Sequence, residues 1–235
     1  MRIRVGLENG AEGRSIAWAL DFPGCYAGGA DGPQALVALP RALVDYEAWV
    51  EQHANPSWLP DLGEIDIRLV ETWQVYTIAD DLTEASDGYE VNAWFRDDWR
   101  PLSAEEIDRG LQMLRWSRAE LLAAAAGASP AALDEKQPGE RWAVRGVLNH
   151  VAGAEWWYLD RLDLAGLTRE QLPRDPFERL PLVRAQLERA LPGLAGVQRV
   201  LGKEGEFWSP RKLLRRALWH ERDHVGHVLK LIAGA

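Results

Sequence analysis

Three of the chain's five histidines fall within eight positions, in the stretch RRALWHERDHVGHVLKLI that covers residues 215–232. At about 100° per residue, a helix places His224 roughly 40° from His220 and His227 roughly 20° to the other side, so all three share a stripe. The apolar arc of that helix, through Leu214, Ala217, Val225, Val228 and Ile232, is centred roughly 100° from His220. His220 and His224 therefore sit at the edge of a core-facing surface. His150 bears the same relation to an arc through Val144, Val147, Val151 and Leu162. Imidazoles at i and i+4 can share one cation, and a third from a neighbouring helix completes a facial set. Such a set requires ring nitrogens about 3–3.5 Å apart. The competing reading is three half-buried polar residues at helix boundaries.

Other side chains nearby carry two readings each. Arg216, one turn before His220, either anchors a carboxylate of a bound small molecule or belongs to a solvated basic surface with Arg211, Lys212 and Arg215. Glu221 and Glu155 fall within the apolar arcs of their helices, where an unpaired carboxylate is costly. They serve as acceptors for histidine N–H groups or as general bases, or else they form interhelical salt bridges to arginine. His227 is an additional pocket group or a surface histidine. Trp157 shares the stripe of His150 and either lines the site or packs. Cys25 reads as a small core residue and His53 as a loop residue.

The elements that position these residues are helical. SAEEIDRGLQMLRWSRAELLAAAAG opens with Ser103 and Glu106 at capping-box spacing and stops at Gly127. AVRGVLNHVAGAEWWYLDRLDLAG predicts a second helix over 143–166. PFERLPLVRAQLERAL predicts a third, with Pro181 disturbing its first turn. The fourth begins with Ser209 as N-cap and Pro210 at the first helical position. Four amphipathic helices predict a bundle over 101–235.

The preceding residues read differently. RIRV and SIAWALDF alternate at strand period around the turn-rich NGAEG, and PGCYAGG leads into a further short strand. A helix follows from Pro33 to Gln52, interrupted by Pro40, and EIDIRLVE returns to a strand. Residues 1–76 thus form an α+β domain of three strands, a helix and a strand. Periodicity fades over 77–100 while aspartates accumulate, which predicts a connection with at most one extended piece in YEVNAWF.

Charge also divides the chain. Residues 1–100 hold 7 Lys+Arg against 18 Asp+Glu, a net of −11, whereas residues 101–235 hold 20 against 18, a net of +2. The total of −9 argues against nucleic-acid or anionic-membrane partners, which need a basic face. The opening MRIRVGLENG has no long apolar run, and nothing elsewhere approaches eighteen consecutive apolar residues, so the expectation is a soluble, cytoplasmic protein. A single cysteine excludes an internal disulfide and leaves any metal site to histidine and carboxylate.

Two resemblances follow from these stretches. ALDFPGCYAGGADGPQALVALPRALVDYEAWVE (19–51) resembles the HicB-like family, without the DNA-binding segment that its antitoxins commonly add. Its acidity suits a domain that covers the helices or makes a homodimer contact. GERWAVRGVLNHVAGAEWWYLDRL (139–162) and SPRKLLRRALWHERDHVGHVLKLI (209–232) resemble the DinB-like family of four-helix metal proteins. That pattern has one histidine on the second helix, a few residues after a tryptophan, and an HxxxH pair on the last. Here these are His150, after Trp142, and His220 with His224. The resemblance implies a divalent cation, zinc or nickel, held by the three histidines, and relatives that use a low-molecular-weight thiol. A histidine-bound cation with vacant positions lowers the pKa of a bound thiol or water. The expected function is therefore a thiol-dependent S-transferase or isomerase acting on a small-molecule substrate. Metal-dependent hydrolysis is one alternative, and a non-enzymatic metal-binding stress or partner-binding protein is the other.

Overall fold

A computed structural model describes residues 1–234, and the chain forms two compact units. The first is Met1–Arg100 with Val200–Trp208, and the second is Pro101–Arg199 with Ser209–Ala235.

In the first unit, β1 (Arg2–Ala11), β2 (Arg14–Ala19), β3 (Tyr26–Gly29), α1 (Gly32–His53) and β4 (Asp66–Gln74) follow the expected order. They build a sheet in the order β3-β2-β1-β4. β2 runs antiparallel to β1, with Val5 opposite Ala19, and β4 runs parallel to it, with Ile3 opposite Ile67. Ala35, Leu39, Leu43, Tyr46 and Val50 form the buried stripe of α1 at helical spacing. The helix continues through Pro40, and His53 is its last residue rather than part of a loop. Its ring nitrogen lies 2.8 Å from the carbonyl of Trp49. Cys25 is buried, with its thiol 3.9 Å from the carbonyl of Ala42.

The segment 77–100 is more than a connection. It carries β5 (Tyr76–Ile78) paired with β6 (Tyr89–Val91) and a 3-10 turn at Arg96–Trp99. Glu8, fully buried on β1, accepts from Trp18 Nε1 at 3.0 Å and from the backbone N–H of Ala93 at 2.8 Å. Asp97, also buried, pairs with Arg4 and Arg100 at 3.1 and 2.8 Å. The aspartates that accumulate in this segment are partly structural, because buried carboxylates need such partners. The hairpin β7 (Leu201–Lys203) and β8 (Glu206–Trp208) belongs to the same unit. Glu206, 1% exposed, accepts from the Tyr89 hydroxyl and from the backbone N–H of Asn92.

The second unit is helical, with α2 (Ala104–Ala126), the short α3 (Pro130–Asp134), α4 (Val144–Asp160), α5 (Pro176–Ala190) and α6 (Pro210–Ala233). α6 packs on α2 and α4, and α4 on α5. Leu121, Val147, Leu148, Val151, Leu180 and Val228 meet in its core. Ser103 caps α2 through the Glu106 N–H at 3.0 Å, and Glu106 answers at the Ser103 N–H at 2.7 Å. Ser103→Ala should therefore cost about 1 kcal/mol, read as a shift in the urea midpoint of the full chain. α4 stops at Asp160, six residues early, because the chain turns through Asp163 and Gly166, both at positive φ. α5 starts at Pro176 with Asp175 as its cap and runs unbroken past Pro181. Among the described residues, no helix is long and apolar enough to cross a membrane.

Candidate metal centre

His150 reaches the site from the middle of α4, and His220 and His224 reach it from one face of α6. Each offers a ring nitrogen, and the three ligand atoms lie within 4.8 Å of one another. His150 Nε2 stands 3.0 Å from His220 Nε2. That separation is close to what two nitrogens take when each binds one cation at about 2.0–2.1 Å. The ring centroids are 4.8 Å apart for His150–His220, 5.0 Å for His150–His224 and 4.5 Å for His220–His224. The expected spacing of about 3–3.5 Å is thus met by the pair from different helices. His220 is buried and the other two are half-buried, so the set spans the boundary between core and surface.

Aromatic rings hold these imidazoles. Trp142 stacks on His150 at 4.6 Å and 27°, with the Arg141 guanidinium 4.4 Å over the indole. Tyr158 stands edge-on to His220 at 6.1 Å, and Trp219 lies 5.6 Å from the same ring. Trp157, which shares the stripe of His150, instead packs on Tyr158 at 5.6 Å and carries Arg161 at 5.0 Å. His227 lies 5.7 Å from His224, and its Nε2 is 3.0 Å from Glu140 Oε2. Lys230 donates to the other Glu140 oxygen at 2.8 Å. Lys230 and then His227 hold the Glu140 carboxyl below the usual carboxylate range.

Beside the histidines, four buried charges close a ring, one from each long helix. Arg118 on α2 donates through Nη2 to Glu155 Oε2 at 2.6 Å and through Nε to Glu221 Oε1. Arg184 on α5 donates through Nε to Glu155 Oε1 at 2.5 Å and through Nη2 to Glu221 Oε2. The remaining guanidinium edges donate to the carbonyls of Leu180 and Leu114. Burial alone would push the Glu155 carboxyl up, but the charges of Arg184 and Arg118 outweigh it and hold the group below its usual range. Burial likewise opposes the charge on Arg184, and Glu155 and Glu221 outweigh it and raise that guanidinium.

Of the two readings of Glu221 and Glu155, the ring has the contacts of the interhelical salt bridge. All four of their oxygens face arginine, so the salt-bridge reading describes them. A carboxylate with both oxygens taken in this way is a poor general base. Arg118 and Arg184 were missed in the sequence, although Leu111, Leu114, Arg118 and Leu121 share one helical stripe, as do Leu180, Arg184 and Leu187. Two arginines on core stripes facing two glutamates on core stripes are a readable signal.

The solvated reading of Arg216 is corrected. Arg216 is 6% exposed, and Arg211, Lys212 and Arg215 are buried as well. Arg211 is paired with Glu106 at 2.6 Å, and the Arg216 guanidinium lies 4.5 Å over the ring of Trp219. Beside His220 a small cavity of about 10 Å³, lined by Val151, Tyr158, Ala217 and the Glu155, Arg184 and Glu221 members of the ring, has room for about one water.

Residues 113–228, which contain all three histidines and the ion ring, match the model of the DinB superfamily. No curated protein and no solved structure matches the chain.

Proposed function

We propose that the DinB-like helices form a four-helix metal-dependent enzyme that transfers a low-molecular-weight thiol to an electrophilic small molecule, or isomerises one with its help. The observation that carries this is the three-histidine set, a donor group that suits zinc or nickel. Three protein ligands are the pattern of catalytic rather than structural sites. A divalent cation there supplies Lewis acidity, which lowers the pKa of a thiol or water beside it. His150, His220 and His224 hold the cation, while Trp142 and Tyr158 keep the rings of His150 and His220 in register. His227, oriented by Glu140, is the side chain left for proton transfer, since Glu221 is held by arginines. Arg216 is the candidate anchor for a carboxylate of the thiol. The room for one water beside His220 supports a second reading, metal-dependent hydrolysis. For the first unit, a single helix with a sheet ordered β3-β2-β1-β4 supports the HicB-like reading, and its charge supports a homodimer contact or another binding role.

The test uses the full chain loaded with zinc or nickel. Mycothiol, bacillithiol, glutathione and coenzyme A are each paired with a chlorinated or maleyl electrophile, and free thiol is followed with time. Metal-dependent thiol loss is the expected result. Arg216→Ala should then raise the KM for the thiol with metal content retained, by about tenfold or more for a hydrogen bond to a charged group. No thiol loss in any pairing, together with turnover of an ester or amide, would shift the assignment to hydrolysis. Silence in both assays would leave a metal-binding protein without turnover.

A further inference from the structure

An apolar cavity away from the histidine set lies between α4, α5 and the chain that connects them. It offers about 290 Å³, close to the lower end of small-molecule pockets at about 300–1,000 Å³. Trp156 and Leu159 from α4, Leu167 and Leu172 from the connection, and Leu182 and Val183 from α5 form its walls. None of the three histidines lines it.

The walls are held in place by hydrogen bonds. Trp156 Nε1 donates to the Leu167 carbonyl at 2.9 Å, and Gln186 Nε2 donates to the Leu164 carbonyl at 2.8 Å. Gly166, at φ +70°, lets the chain pass so close to Gln186 that a Cβ there would lie 3.1 Å from Nε2. The cavity therefore exists before any ligand arrives. Leu167 and Leu182 nevertheless stay 37% and 39% exposed at its rim.

One charge faces this apolar space. Arg189 donates through Nη1 to Gln186 Oε1 at 2.7 Å, which fixes its guanidinium at the mouth. Among the described residues no carboxylate pairs with it, so its charge is open to an anionic group. An apolar chamber with a single oriented cation at its edge complements a ligand with an apolar body and one anionic end.

We propose that this cavity binds a monocarboxylate with an apolar body, with the body against Leu159, Leu172 and Val183 and the carboxylate on Arg189. This site is separate from the histidine set and stands whether or not the thiol reaction is found.

The probes are n-alkanoates from butanoate to decanoate, beside their amides, titrated into the full chain and read by ligand-observed NMR. Affinity should rise about fourfold per added methylene until the chamber is filled and then level off. Hexanoate should bind about fivefold tighter than hexanamide, the size of an exposed ion pair. Arg189→Gln should erase that preference and leave hexanamide unchanged, and Ala185→Trp, at an exposed position on the wall, should block both. The proposal is overturned by any of four results: no saturable binding, equal binding of acid and amide, a preference that survives Arg189→Gln, or a methylene series that never levels.

Discussion

Glu155→Ala should destabilise the helical unit by about 3–5 kcal/mol, seen as a fall in its urea midpoint. The cause is not the loss of one attraction. Arg118 and Arg184 are each 7% exposed, and without Glu155 they would share a single carboxylate in the core. An uncompensated buried charge is what makes breaking such a set expensive. Arg115→Ala provides the contrast, because its 2.9 Å pair with Glu188 is largely solvated and should be worth about 1 kcal/mol or less. Replacing Arg118, Glu155, Arg184 and Glu221 together by apolar residues of similar volume should cost far less than Glu155→Ala alone. If the single and fourfold variants lose equal stability, uncompensated charge is not the cause.

The same carboxyl gives a pH dependence of definite sign. Its folded pKa lies below the ordinary value of 4.5, so the folded state binds its proton less readily than the unfolded state. The stabilisation is complete above about pH 4.5 and drains away as pH falls from there through the depressed folded value. The urea midpoint of the wild type should thus drop on acidification below about pH 4.5, and that of Glu155→Gln should drop less.

His220→Ala should weaken zinc binding on the order of a hundredfold or more, beyond the tenfold to hundredfold typical of losing a mere supporting contact. Two readouts need no turnover. Metal retained after dialysis should fall, and the zinc-dependent rise in stability, about 2.7 kcal/mol at a hundred times the Kd, should disappear. His227→Ala, outside the three-histidine set, should retain that rise. Equal zinc-dependent stabilisation of wild type and His220→Ala would remove the metal centre from this position.

How much of this was legible depended on whether the signal was local. Ser103 with Glu106, Ser209 with Pro210, and the 3.6-residue stripe of α1 all act within one turn of chain, and each marks its element in the sequence. The histidines were legible for the same reason, since their angular positions follow from spacing alone. The partners of Glu155 and Glu221 were not, because choosing between a base and a salt bridge requires knowing which helices face one another. The β7–β8 turn hid for a different reason. Glu204 takes φ +48° beside Gly205, a conformation usually announced by Asn or Asp, so KEGE did not read as a hairpin. The 77–100 segment read as a connection because one partner of Asp97, Arg4, lies 93 residues away in the chain, where the local sequence does not show it.

The hairpin at 201–208 sets a constraint on synthesis as well as on stability. During translation the first unit cannot finish when residue 100 leaves the ribosome, because the carboxylate that receives Tyr89 and Asn92 is still about a hundred codons away. By the time Glu206 emerges, α2, α4 and α5 have already been made, yet they still lack α6, whose Glu221 closes their ring of charges. Both units are therefore completed only as residues 206–221 emerge, and a nascent chain stalled before residue 206 carries two unfinished cores. A gene fragment cut at Arg100 has the same defect permanently.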